Sequence, residues 1–197
     1  ENIQNMTFHE KYTASLSELI SDEAIIFWGG EDLSQQILRL IDVLSAGDNE
    51  TLTLFNSVID SYIQKYFGSE VDFYKDILPL FNNEFAYALE PTPDGINHHK
   101  FLFELGSPQE NKVTIYELAN NFATLGAIFE PKIVEHILAD GTVAKELVAI
   151  PEEISKEESE YEGHTIYTLT MGQQGWVISY AIVDKLAILS TSEEKVE

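Results

Sequence analysis

Thr165-Ile166-Tyr167-Thr168-Leu169-Thr170, followed by Trp176-Val177-Ile178-Ser179-Tyr180-Ala181-Ile182-Val183-Asp184-Lys185-Leu186-Ala187-Ile188-Leu189, is the stretch that decides the fold. β-branched and aromatic residues fill short runs, with Gly and Asp-Lys punctuation between them. That pattern predicts three strands of an antiparallel meander. Immediately upstream, residues 151–162 carry Glu152, Glu153, Glu157, Glu158, Glu160 and Glu162 and read as an exposed connection. Before that, residues 132–139 and 142–150 flank Asp140-Gly141, a dipeptide that accepts positive φ and suits a tight hairpin.

Further toward the N-terminus the pattern becomes mixed. Ser107, Pro108 and Glu110 form a capping box with proline at the first helical position, and Ile115, Leu118, Phe122 and Leu125 give the helix its buried side. Residues 101–105 read as a strand paired with residues 85–89, where Phe85, Tyr87 and Leu89 share a face; Pro91 to Gly95 supplies the turn. Residues 72–78 suit a short helix halted near Pro79, and Asn82-Asn83 turns the chain. Residues 24–28 form an apolar run closed by Gly29-Gly30, the signature of a strand buried on both faces. Asp32, with Gln35 behind it, caps a helix whose stripe is Leu33, Ile37, Leu40, Ile41 and Leu44, ending at Gly47. A second helix follows Asp48, with Leu52, Phe55, Val58, Ile59, Tyr62, Ile63 and Tyr66 on one face and Gly68 as its stop. The expected fold is α+β: an antiparallel sheet from the Phe85, Phe101, 132–150 and 165–189 segments, covered on one face by the helices near 33, 52 and 110. Residues 1–22 form an N-terminal segment without an assigned structure, and residues 23–197 form a single domain.

Thr191-Ser192-Glu193-Glu194 reads as another capping box, with three residues after it. The expectation is that the natural polypeptide continues past Glu197 and that the domain is cut at that end. The strand, turn and cap at residues 24–32 echo this ending, which raises the idea of a repeated unit.

Composition narrows the function classes. Among 197 residues, 34 Asp and Glu outnumber 11 Lys and Arg, for a formal charge of −23. Such a surface repels phosphate, which excludes nucleic acid and anionic membrane faces as natural partners. With 44% hydrophobic residues the chain is not of the disordered class. Without cysteine, thiolate chemistry and disulfides are impossible. No run of about 18 apolar residues is long enough to span a bilayer. The chain begins at Glu1, so a missing leader or anchor carries no information.

Candidate chemistry is sparse. The histidines are His9, His98, His99, His136 and His164; the close pair is adjacent in a polar loop, and neighbours on an extended chain diverge. No metal site and no cofactor are expected from them, and His164 reads as a surface residue. Acid pairs are too abundant to single out two catalytic carboxylates, so the catalytic residues stay unassigned. No calcium loop of the EF-hand type occurs, which leaves only diffuse, weak Ca²⁺ association on charge. There is no nucleophile elbow and no phosphate cradle; Gly29-Gly30 lacks the third spaced glycine and runs into Glu31 and Asp32. Asn5-Met6-Thr7 and Asn49-Glu50-Thr51 match the glycosylation pattern, a match that a bacterial source would make chance. The dense aromatics, among them Phe27, Trp28, Tyr62, Tyr66, Phe81, Phe85 and Tyr87, read as core packing before binding groove.

Asp76-Ile77-Leu78-Pro79-Leu80-Phe81-Asn82-Asn83-Glu84-Phe85-Ala86-Tyr87-Ala88-Leu89 resembles the uncharacterised bacterial family called domain of unknown function 3352. That family carries a D-hydrophobic-L-P stretch running into an acidic E-hydrophobic-A strand. Asp140-Gly141-Thr142, Glu146-Leu147-Val148, residues 161–167 and residues 180–190 continue the resemblance in order, so that it covers roughly residue 23 to the end. The resemblance implies an extracytoplasmic protein held by an N-terminal membrane segment and longer than this chain, and it implies no reaction. The expected function is a non-enzymatic binding or structural module of a bacterial cell-envelope or secreted protein. Its partner is a protein or cell-wall polymer, with no direct membrane contact by this fragment. The alternative is a carboxylate-dependent hydrolase acting outside the cytoplasm, and a third is a calcium-tuned adhesive module.

Overall fold

The computed structural model describes residues 14–91, 95–125, 128–152, 154–172 and 175–196. Its strands are β1 (Ile26–Glu31), β2 (Glu84–Pro91), β3 (Asn97–Glu104), β4 (Ile128–Ile137), β5 (Val143–Glu152), β6 (Ile154–Tyr161), β7 (His164–Met171), β8 (Trp176–Val183) and β9 (Leu186–Ser190). The helices are α1 (Leu33–Ser45), α2 (Asn49–Phe67) and α3 (Pro108–Leu125). Seven strands form one sheet in the order β1-β2-β3-β9-β8-β7-β6, with every neighbouring pair antiparallel. The α+β class read from the sequence is therefore the fold.

The register sorts side chains onto two faces. Phe85 lies opposite Phe103, Phe103 opposite Ala187, and Ala187 opposite Ile182. These residues pack with Leu80, Leu105, Ile115 and Tyr180 into the main core on the front face. Phe85 is completely buried, and a side chain of that size contributes roughly 2–3 kcal/mol when removed from water. Phe81 joins it at ring centroid distances of 5.0 Å from Phe103 and 5.9 Å from Phe101. The front-face cover comes from α3, the turn at Leu78–Phe81 and Leu33 at the start of α1. α2 forms an outer tier: Tyr66 and Phe67 stack on Phe122 of α3, and the Asn121 amide donates to the Phe67 carbonyl at 2.7 Å. None of its residues is buried.

Both expected caps form. The Asp32 carboxylate accepts from the Gln35 amide at 3.1 Å, and that of Asp48 from the Thr51 amide at 2.8 Å. The expected helix at 72–78 is instead a wide π-type turn, Phe73–Ile77, running into the 3₁₀ turn Leu78–Phe81 that holds Pro79. After β9 the chain makes one 3₁₀ turn, Glu193–Lys195.

The back face is covered by the chain's own ends. Leu16, in the 3₁₀ turn Leu16–Leu19, packs with Ile20 against Ala86 and Leu102, while Val196 packs against Ile166 and Ala181. Two buried carboxylates of β2 fasten this cover. Glu84 accepts the Leu16 amide at 2.8 Å and the Ser15 hydroxyl, and Glu90 accepts the Ser21 amide at 3.2 Å and pairs with Lys195 at 3.3 Å.

Three sequence expectations are corrected. The run at 24–28 is not buried on both faces: β1 is the terminal strand of the sheet, because apolarity alone does not fix where in the strand order a segment docks. The acidic stretch 151–162 is not a loop but mostly β6, the opposite edge. Its Ile154 and Lys156 alternate inward while the glutamates stay in water. Lys156 lies 4.5 Å over the Tyr167 ring and donates to Asn120 at 2.7 Å. Finally, the 132–150 hairpin forms, but as a separate two-stranded sheet of β4 and β5. Its turn is wider than the two-residue type, since only Gly141 there has positive φ and Leu138 accepts from Gly141 while donating to Thr142.

Candidate functional site

The titratable groups are committed to local structure. The two buried glutamates, Glu84 and Glu90, are the fasteners of the back-face cover. The carboxyls of Asp48, Asp72 and Asp140 are held below the usual carboxylate range, chiefly by hydrogen bonds from Thr51, Lys75 and Thr142 respectively. Each lies at a cap or turn in water. The Asp140 carboxylate accepts both the amide and the hydroxyl of Thr142, at 2.9 and 2.6 Å.

The histidines diverge as their spacing suggested, although His98 and His99 stand in β3 and not in a loop. His98 Nδ1 lies 3.1 Å from the Thr191 carbonyl, and His99 Nδ1 lies 2.8 Å from the Tyr87 hydroxyl on the other side of the strand. His136 pairs across the hairpin with Glu146 at 3.1 Å, and His164 opens β7 in solvent. His9 lies outside the described residues. Among the described residues no three His, Asp or Glu side chains converge as a metal site would need.

Two open clefts occur among the described residues. One, of about 550 Å³, is polar and lined by Asp76, Asn82, Asn83, Ser107, Glu110 and Asn111. Asp76 is already used there, accepting the Asp72 amide at 2.8 Å. The other, of about 370 Å³, lies on the back face with an apolar floor that includes Leu102, Ile166 and Ile188. Lys100 stands at its rim, donating to the Leu19 carbonyl at 3.3 Å; burial holds its ammonium below the ordinary lysine range, partly offset by Glu90. Asp76 and Glu110 are the two carboxylates that line the polar cleft.

The β1 side of the molecule has another chemistry. Ile25, Ile26, Phe27 and Trp28 are 60, 48, 48 and 49% exposed, although Trp28 meets the Phe85 ring edge-on at 4.9 Å. Leu40, Val43 and Leu44 on α1, and Leu54, Val58 and Tyr62 at four-residue spacing along α2, are exposed as well. Among the described residues the sheet pairs with β1 on one side only. Asp32 donates to the Asn83 carbonyl at 3.0 Å in step with the β1 to β2 register. The alternation of an antiparallel ladder then turns the Trp28 and Gly30 amides toward β2 and aims those of Phe27 and Gly29 away from the sheet. Consistent with this, the outward Glu31 carbonyl accepts from the Gln36 side chain at 3.1 Å. The backbone is bare at Gly29, where a Cβ would meet the Phe27 ring at 3.0 Å and the Phe85 carbonyl at 3.1 Å.

The aromatic residues thus divide. Phe81 and Phe85 are in the core, as expected, together with Phe101 and Phe103, whereas Phe27 and Trp28 are half exposed. Sequence reading missed this edge; its local signal is an apolar run bounded by Asp22-Glu23 on one side and Glu31-Asp32 on the other. Comparison of the chain with protein-family models, with curated proteins and with solved structures finds no match in any of the three.

Proposed function

We propose that this chain is a non-enzymatic binding or structural module of a bacterial cell-envelope or secreted protein, engaging a protein or cell-wall polymer. One observation carries the reading: large apolar side chains stand in water along residues 25–62, on β1, α1 and α2, in a chain whose charge is −23. A domain with this many acidic residues has ample polar material for its surface, so an apolar stretch left exposed marks a surface meant to be covered. The envelope assignment, and the membership in the domain of unknown function 3352 family that it rests on, draw on the ordered motifs at 76–89, 140–148, 161–167 and 180–190.

The test is co-sedimentation of the purified domain with peptidoglycan and with immobilised envelope proteins, together with an assay for soluble fragments released from the polymer. Retention without turnover is expected, with retention lost in an Ile25→Lys, Ile26→Lys double variant that still melts cooperatively. Fragment release returns the hydrolase alternative, and no retention on either matrix removes the binding reading. Protease digestion of intact cells expressing the full-length protein checks the location: cleavage without lysis is the expected result.

A further inference from the structure

We propose that β1 is an acceptor edge for one extended segment of a partner protein, with an alternating apolar middle and Lys or Arg at both ends. The proposal rests on the binding-module reading and specifies its surface, its mode and the chemistry of its partner.

The mode follows from the backbone. β1 offers a row without partners among the described residues that includes the Phe27 and Gly29 amides, in a register fixed by the ladder to β2. Strand addition satisfies such groups with main-chain hydrogen bonds, and side chains on either face of the new strand supply selectivity. On the front face an incoming residue meets Trp28, and on the back face it meets Phe27. At Gly29 the Phe27 ring lies over the glycine, 3.0 Å from where a Cβ would stand, and at Gly30 the Phe85 ring lies 3.4 Å from that position, so aromatic rings shield both glycines.

The partner's charge follows from the brackets. Asp22 and Glu23 precede the apolar run and Glu31 and Asp32 close it; Asp22, Glu23 and Glu31 are exposed. A second copy of this chain is thereby excluded as the occupant. Antiparallel self-pairing of β1 centred on Phe27 brings the turn that carries Asp22 and Glu23 toward the other copy's Glu31 and Asp32, gathering four carboxylates at each end. Like charges facing each other across strands oppose pairing, and the two chains, each of charge −23, repel at longer range as well. In the same register a foreign strand with cations at its two ends meets two carboxylates at each. The acidic pairs therefore act against self-association and for a basic-ended partner with one device.

The test uses a fluorescein-labelled, capped peptide with two lysines at each end of a seven-residue middle alternating valine and tyrosine, long enough to reach both brackets. A control peptide has glutamates in place of the lysines. Saturable anisotropy with the lysine peptide is expected, together with slowed amide exchange at Phe27 and Gly29. Affinity should fall about tenfold in a Glu23→Gln, Glu31→Gln variant and again as salt is raised. Phe27→Pro, which removes an outward amide, should abolish binding; its melting curve shows whether it is folded, and the glutamine variant, altered only on exposed side chains, keeps the test decisive if it is not. Equal binding of the glutamate peptide, protection on α2 in place of β1, or a dimer that protects Phe27 and Gly29 without peptide overturns the proposal. Failure of the lysine peptide alongside intact retention on envelope material overturns strand addition and leaves the binding module standing; failure of both overturns both.

Discussion

At one end of the seven-stranded sheet β6 presents Glu157, Glu158 and Glu160 to solvent, and at the other β1 presents Ile26, Phe27 and Trp28. Among the described residues each strand has a neighbour on one side, and an edge of that kind invites pairing with another chain. Charge along β6 makes any added strand costly throughout its length. Charge near β1 is confined to the two ends, so that the middle is open and the ends select. The comparison teaches that an edge is protected by where its charges lie, not by how many the protein has, since both edges belong to one strongly acidic chain.

The largest expected effect comes from erasing the difference. Replacing Glu157, Glu158 and Glu160 with valine gives β6 the apolar character of β1 without its acidic ends. Size-exclusion chromatography with light scattering should then show association and precipitation where the native chain stays dispersed; a monodisperse variant would mean that edge charge is not what protects β6.

Next in size is the cover beside β1. Glu90 is 2% exposed and holds both the Ser21 amide and Lys195. Glu90→Ala leaves both without that partner and should cost about 3 kcal/mol, read from the shift in urea midpoint, because removing one side of a buried pair strands the other. Glu90→Gln keeps an acceptor for Ser21 and should cost visibly less. Equal losses in the two variants would show that the charge is irrelevant.

A smaller change is expected on the β6 side, under the tyrosines. Tyr180 stacks on Tyr167 at 5.1 Å and near Tyr116 at 6.2 Å. Its buried hydroxyl has no hydrogen-bond partner among the described residues, and burial pushes its pKa up. Tyr180→Phe removes that unsatisfied group while keeping the ring, so the melting temperature should hold or rise, by up to about 1 kcal/mol of stability. A clear drop would reveal a partner for the hydroxyl.

The smallest effect separates the two sides by pH. Hydrogen bonds from Thr51 hold the Asp48 carboxyl below its ordinary value, so the folded state binds its proton more weakly than the unfolded chain does. The contribution of that charge to α2 is complete above the usual carboxylate range and is lost as pH falls through the lowered folded value. Asp48→Asn should therefore melt below the native protein near neutrality, and the gap should close in acid. A gap independent of pH would assign the effect to geometry and not to charge.

Much of the local structure was legible because it depends on neighbours in sequence. Asp32 and Asp48 announce their helices through a side chain that reaches an amide three residues on, and Pro108 marks the start of α3. The edge β6 was misread because charge density resembles a loop. The overlooked signal was Tyr161-Glu162-Gly163-His164, a two-residue hairpin turn with positive φ at Glu162 and Gly163. The clips from Glu84 and Glu90 were not legible, since each joins residues nearly 70 positions apart. The candidate site was half visible: its side chains and acidic brackets stand in the sequence, while its exposure does not.

By itself, then, the sequence determined the three long helices and most of the strands, β6 apart, and that no disulfide or thiolate chemistry is possible. Propensity, capping and side-chain alternation act over a few residues and need nothing else. Only the tertiary structure decided that the 24–28 run ends the sheet, that the hairpin at 132–150 stands apart from it, and that residues 16–20 and Val196 pack against its back. Strand order and burial are set by competition among distant segments for the same faces, and that competition leaves no mark on any one of them.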